Sequence, residues 1–150
     1  MNERKIRPQQ LWDLYNVSAN SAAELLLSLG FGFNQRVENL LIYQTHDEGF
    51  ILTEDAGFVT KVQYKMADNA IYYDCIEYAK ETLAFETIFE EFEALANVLR
   101  LDDETCTLIC MVVHPNSNHP SLGITLLPKL PLPTPENKIE VILGSPPLSK

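Results

Sequence analysis

FVTKVQYKM, residues Phe58–Met66, alternates between two kinds of side chain. One parity holds Phe58, Thr60, Val62, Tyr64 and Met66, and the other holds Val59, Lys61, Gln63 and Lys65. Successive side chains of a strand point to opposite faces, so the pattern predicts a strand with one buried and one wet face. Just before it, VENLLIYQT (37–45) and GFILTE (49–54) flank the turn signal HDEG. Together these segments predict an antiparallel meander.

The segment SANSAAELLLSLGFG, residues 18–32, has the signals of an amphipathic helix. Ser21 and Glu24 have the spacing of a capping box, and Gly30 suits a left-handed helix end. One helical face is formed by Ala22, Leu25, Leu26 and Leu29. A short helix, PQQLWDLY, is predicted before it, with Pro8 at the first position.

A second main helix is predicted over ETLAFETIFEEFEALANVLRL, residues 81–101. Its apolar residues fall on one helical face: Phe85, Ile88, Phe89, Phe92, Leu95, Ala96 and Leu99. The preceding segment, residues 71–80, is compatible with either a strand or a helix. Its tyrosines and isoleucines favour a strand, whereas Asp74, Glu77 and Glu81 have helical spacing. We prefer the strand.

TCTLICMVV, residues 105–113, is apolar on both faces, which predicts a buried strand. With the next loop it gives the spacing Cys106-x3-Cys110-x3-His114-x4-His119. Zinc needs four N or S ligands that converge at about 2.0–2.3 Å, whereas residues four apart on a strand are separated by roughly 13 Å. We therefore predict no metal, and we interpret the cysteines as core thiols.

Four prolines follow between Pro128 and Pro135, and LGITLL before them predicts another strand. The proline-rich run is expected to be extended, polyproline-like chain. We predict one α+β domain over residues 1–127. Residues 128–150 are interpreted as a proline-rich connector and tail of the same domain, with KIEVIL (138–143) as a candidate last strand.

The predicted fold class is α+β: a single antiparallel sheet of about five to seven strands with two main helices packed on it. The order of elements and the acidity resemble the small secretion chaperones, which hold partner segments in unfolded or extended form. Those chaperones end in a helix, whereas this chain is predicted to end in a proline-rich strand region, so no residue roles are carried over. The composition also fits immunity proteins and other stoichiometric inhibitors.

The chain has 150 residues and a net charge of −10, with only 11 lysines and arginines. This charge disfavours nucleic-acid backbones and anionic membranes as partners, because both require clustered positive charge. The N-terminus has no apolar run typical of a signal peptide, and no segment is long and apolar enough to span a membrane. With three cysteines, this predicts a cytoplasmic protein with free thiols.

No catalytic, phosphate-binding or cofactor motif is recognisable, so we expect neither an active site nor a cofactor. The leading hypothesis is a non-catalytic binding protein (chaperone, adaptor or inhibitor) that engages a basic or extended segment of another protein. The candidate partner-binding residues are Glu86, Glu90, Glu91, Glu93, Pro128, Pro131 and Pro133. The alternatives are a small enzyme whose site forms only in three dimensions and an acidic mimic of nucleic acid. The oligomeric state stays open, and a dimer is compatible with the sequence.

Overall fold

A computed structural model describes residues 6–132. These residues form three α-helices, a short π-helical segment and eight strands. The helical elements are α1 (Pro8–Asp13), α2 (Ala19–Ser28), α3 (Asn69–Glu77) and the π-helical segment Tyr78–Thr82. The strands are β1 (Gly32–Val37), β2 (Leu40–Gln44), β3 (Gly49–Asp55), β4 (Phe58–Met66), β5 (Glu86–Phe92), β6 (Ala96–Asp102), β7 (Cys106–Val113) and β8 (Ser121–Pro128).

A single antiparallel sheet contains the eight strands in the order β1-β2-β3-β4-β8-β7-β6-β5. Each half of the sheet is a four-strand meander that a helix precedes, α2 in one half and α3 in the other. The halves meet where β4 pairs with β8 and Tyr64 lies opposite Ile124. The predicted class, α+β with one antiparallel sheet, is confirmed, but the sheet has eight strands rather than five to seven.

The predicted second main helix over residues 81–101 is wrong. Most of this segment forms β5 and β6, joined by a turn in which the Glu93 amide donates to the Ala96 carbonyl at 2.8 Å. Thr87, Ile88 and Phe89 are β-branched or aromatic, which favours a strand. Pairing of β6 with β7 then supplies backbone partners that helical periodicity cannot reveal. Phe92 is 71% exposed, so the apolar residues of this segment do not share one buried face.

Our preference for a strand over residues 71–80 is also wrong, because α3 and the π-helical segment occupy this part of the chain. The Asp68 carboxylate caps α3 by accepting a hydrogen bond from the Ala70 amide at 2.8 Å. Tyr72 and Cys75 point from α3 into the core. The helical spacing of the acidic residues was therefore the correct signal.

The predicted helix over residues 18–32 is confirmed as α2, with its start shifted by one turn. Ser18 is the N-terminal cap, since its hydroxyl accepts from the Ser21 amide at 3.1 Å. Gly30 has a φ of 94°, the left-handed conformation expected after a helix. The strand predictions for TCTLICMVV and LGITLL are confirmed as β7 and β8. KIEVIL lies outside the described residues.

Strand β4 keeps the predicted alternation only from Val62 onward. The register with β3 shifts between Thr53 and Glu54, so β4 contains one extra residue at a β-bulge. The bulge reverses the parity of the first residues of β4. Val59 is consequently buried and Phe58 exposed, the opposite of the expectation from sequence.

The helices cover one face of the sheet, and the main core lies between the helices and this face. Alternate residues of β7 belong to different clusters, because successive side chains of a strand point to opposite faces. Leu108 and Cys110 belong to the main core, whereas Ile109 packs with Val98 and Leu127 in a second cluster. We call the side of the sheet that carries this second cluster the open face.

Candidate functional site: a groove on the open face

A shallow groove on the open face surrounds Lys65 of β4. Lys65 lies in register with Gly49 of β3 on one side and with Gly123 of β8 on the other. Because neither neighbour has a side chain, the surface sinks beside Lys65. One depression of about 340 Å³ extends toward β2 and β3, and another of about 260 Å³ extends toward β7. We call these two depressions together the open-face groove.

The walls of the open-face groove are mostly apolar. Ile42 and Ile51 line it on β2 and β3, and Ile109 and Met111 line it on β7. All four are at most partly exposed, since their neighbours in the sheet cover them on the sides. Gln63 crosses the middle of the groove and supplies an amide that can both donate and accept hydrogen bonds.

The fold does not require glycine at the two positions that form the groove. Neither Gly49 nor Gly123 has a positive φ. A Cβ at Gly49 would lie 3.5 Å from the Tyr43 carbonyl oxygen, and one at Gly123 would lie 3.7 Å from that of Tyr64, both ordinary contacts. Glycine weakens a strand and often marks a place where a ligand or another backbone approaches closely. The two glycines are therefore better explained by the space they leave than by backbone conformation.

The charge of the groove differs from that of the chain as a whole. Among the described residues that line the two depressions, Lys65 is the only charged one. Lys61 lies four residues earlier on the same face of β4, and within residues 6–132 neither lysine has an ion-pair partner. Asp47 and Asp68 border the end of β4 without contacting Lys65 closely enough for an ion pair. Within the described part of the chain, the groove thus has positive charge without an ion-pair partner, although the net charge of the chain is −10.

Beside the groove, a buried arginine holds the segment after β8 against the open face. Arg100 of β6 has no solvent exposure and forms a double hydrogen bond with Asp102. Its guanidinium also donates to the Leu130 carbonyl at 2.7 Å and the Pro131 carbonyl at 2.8 Å. The Leu130 amide in turn donates to the Thr107 hydroxyl at 3.0 Å. These bonds tie the segment after β8 to the open face, where Leu130 packs on the second cluster.

The acidic residues proposed from the sequence do not form one stripe, because they lie on a strand and a turn instead of a helix. Glu86 is opposite Asp102 and Glu91 is opposite Val98, which places both on the open-face side. Glu90 is opposite Leu99 and faces the helix side, where its charge acts on Tyr72. Glu93 lies in the turn between β5 and β6. Their role in binding stays a prediction.

The proline candidates are also separated. Pro128 is the exposed last residue of β8, opposite Cys106. The Pro131 ring is exposed, but its carbonyl is bound by Arg100. Pro133 lies outside the described residues. The start of the proline-rich run is thus attached to the sheet by its backbone, a contact that the sequence does not predict.

The cysteines and histidines do not converge in the described part of the chain. Residues 6–132 contain no group of three metal-binding side chains. All three cysteines are buried free thiols. Burial, with a smaller effect of the Asp74 carboxylate, raises the pKa of Cys75 to about 12. Burial, followed by the proximity of Cys75, raises the pKa of Cys110 well above its usual value. Thiols with raised pKa values are poor nucleophiles near neutral pH.

Sequence reasoning missed the groove because its residues come from β2, β3, β4, β7 and β8. Gly49 was assigned to the HDEG turn, and Gly123 was included in the predicted strand LGITLL without a role of its own. The one available signal was the wet face of β4, where Lys61, Gln63 and Lys65 alternate with buried residues. That face was interpreted as solvated surface.

No helix in residues 6–132 is long and apolar enough to cross a membrane. Comparison of the chain with protein-family models, with curated protein sequences and with solved structures gave no match.

Proposed function

We propose that this chain is a non-catalytic binding protein that holds an extended segment of another protein on the open face. The observation that carries the proposal is the row Gly49–Lys65–Gly123, where the strands on both sides of β4 lack a side chain and no other part of residues 6–132 fills the space. The helices pack on the other face of the sheet, and Leu130 covers part of the open face at the second cluster. A partly apolar face that residues 6–132 leave uncovered is a candidate binding surface.

The shape of the groove favours an extended segment over a helix. Neighbouring strands lie about 4.8 Å apart, so the β4 and β7 side chains that flank Gly123 are separated by roughly 10 Å. An α-helix with its side chains is about 10–12 Å across, so it would rest on these walls without filling the space above the glycine. An extended chain is narrower and can place alternate side chains in the depressions.

The edges of the sheet are less suited to adding a partner strand. Strand β1 has a register shift between Phe33 and Gln35, and β5 has one between Thr87 and Phe89. Such bulges interrupt the edge and discourage pairing with another chain. This favours the face of the sheet over its edges as the binding surface.

The experiment combines site-specific cross-linking with two matched glycine variants. A photo-reactive residue replaces Thr125 in the full-length chain in its native cells, and the same residue at the exposed Lys80 on the helix side is the control. The partner that cross-links only from position 125 is identified and purified. Its affinity is then measured for the parent, Gly123→Val and Gly32→Val.

We expect Gly123→Val to weaken binding by about tenfold or more, since every tenfold loss corresponds to about 1.4 kcal/mol. Gly32 is a suitable control because it lies on β1 in the same row but outside the groove, and its φ is not positive. Gly32→Val should leave the affinity unchanged. Equal affinities of all three chains, or no adduct specific to position 125, would overturn the proposal.

A further inference from the structure

We infer that the segment held in the open-face groove carries carboxylates, so that the partner site is acidic and extended. This inference rests on the proposed function and adds the chemistry of the ligand. It reverses the expectation from net charge, which favoured a basic partner. The difference arises because no acidic residue within residues 6–132 lines the groove, whereas Lys65 does.

The spacing of Lys61 and Lys65 selects the conformation of such a segment. Both side chains lie on the same face of β4, four residues apart, which is roughly 13 Å along a strand. Two carboxylates four residues apart on an extended chain have the same separation and can reach both lysines. On a helix, side chains four residues apart are only about 6 Å apart and can reach one.

The surroundings of the lysines favour a bound carboxylate over solvent. Lys61 is partly buried, and Ile51 and Thr125 lie beside Gln63 between the two lysines. A chain laid over this surface would exclude water from the lysine side chains and strengthen their attraction to a carboxylate. The apolar walls formed by Ile42, Ile51 and Met111 would contact the other side chains of the segment.

The probe is a synthetic peptide, Glu-Val-Thr-Val-Glu, with blocked ends and a fluorescent label. Its binding to the full-length chain is measured by fluorescence polarisation at low and moderate salt. The matched peptide Lys-Val-Thr-Val-Lys has the same length and strand propensity with the opposite charge. A third peptide with the composition of the first and adjacent glutamates tests the spacing.

We expect the first peptide to bind and the lysine peptide not to bind. Lys65→Gln and Lys61→Gln should each weaken binding by about tenfold, about 1.4 kcal/mol, and Lys65→Arg should retain it. Added salt should weaken binding because it screens the charges. The peptide with adjacent glutamates should bind more weakly, since only one carboxylate reaches a lysine.

Three results would overturn the inference: binding of the lysine peptide equal to that of the glutamate peptide, binding unaffected by both Lys→Gln changes, or cross-linking from position 125 to residues 133–150 of the same chain. If Gly123→Val abolishes binding of the natural partner while Lys65→Gln leaves it unchanged, the proposed function holds and the carboxylate inference fails. If neither change affects the partner, both fail.

Discussion

Arg100 and Asp102 lie two residues apart on the same face of β6 and share two hydrogen bonds, Nε–Oδ1 at 2.9 Å and Nη2–Oδ2 at 2.8 Å. Both residues are buried, and Asp102 Oδ1 also accepts from the Thr107 hydroxyl at 2.9 Å. The ion pair is therefore embedded in a network that includes the Leu130 and Pro131 carbonyls.

Breaking this pair should destabilise the fold strongly. Arg100→Met leaves the Asp102 carboxylate buried without its partner, a change that costs about 3–5 kcal/mol. The control is Arg36→Met, because Arg36 forms an exposed pair with Glu54 at 2.6 Å, and such pairs contribute about 0–1 kcal/mol. Urea unfolding of the two variants measures the difference. Similar losses in both would show that Arg100 is not held in this network.

Removing the two carbonyls that Arg100 binds should also destabilise the fold, because it leaves buried donors without acceptors. A chain that ends after Leu127 lacks the acceptors at Leu130 and Pro131, so two donors of the buried Arg100 lose their partners. Each unsatisfied buried group costs about 1–3 kcal/mol. A chain that ends after Leu132 keeps both acceptors, and thermal melts should show it to be the more stable of the two. Equal melting temperatures would mean that these bonds do not contribute.

The strand assignment of residues 86–102 separates two phenylalanines that the helix prediction placed on one buried face. Phe85 is 4% exposed and packs edge-on against Trp12, with ring centroids 5.9 Å apart. Phe85→Ala should cost about 3–5 kcal/mol, as for other buried phenylalanines. Phe92→Ala, at a position 71% exposed, should change stability by less than about 0.5 kcal/mol. Equal losses by chemical denaturation would favour the helix.

Alkaline pH should destabilise the folded chain. Burial raises the pKa of Cys75 to about 12, and it raises the pKa values of Cys110, Tyr64 and Tyr72 as well. Unfolded cysteine and tyrosine lose their protons near about pH 8.5 and 10, so above these values the folded chain binds more protons and stability falls as pH rises. Below about pH 8 these groups are protonated in both the folded and the unfolded chain, so their contribution to the free energy of unfolding is fully present.

The measurement is the free energy of unfolding in urea from neutral to alkaline pH. Each group that stays protonated only in the folded chain should contribute a slope of about 1.4 kcal/mol per pH unit. Cys75→Ala should reduce the slope by the contribution of one group, about 1.4 kcal/mol per pH unit. A free energy of unfolding that does not change between neutral pH and about pH 10 would contradict the buried positions of these groups.

The sequence by itself determined the elements whose signals are local. Gly30 ends α2 as predicted, because a positive φ depends on the local backbone only, whereas the cap is Ser18, one turn before the predicted Ser21. The alternation of β4 from Val62 onward and the two apolar faces of β7 likewise reflect which faces are buried. These signals also supported the class, an antiparallel sheet with helices.

Tertiary structure decided the rest. Residues 86–102 are compatible with both helical periodicity and strand propensity, and hydrogen bonding to the backbone of β7, outside this segment, selects the strand. Arg100 is buried because Asp102 and two carbonyls some 30 residues later surround its guanidinium. The groove exists because pairing of β4 with β3 and β8 sets Gly49 and Gly123 on either side of Lys65. Contacts between separate segments create each of these features, and the pattern within one segment does not record which strands will be its neighbours.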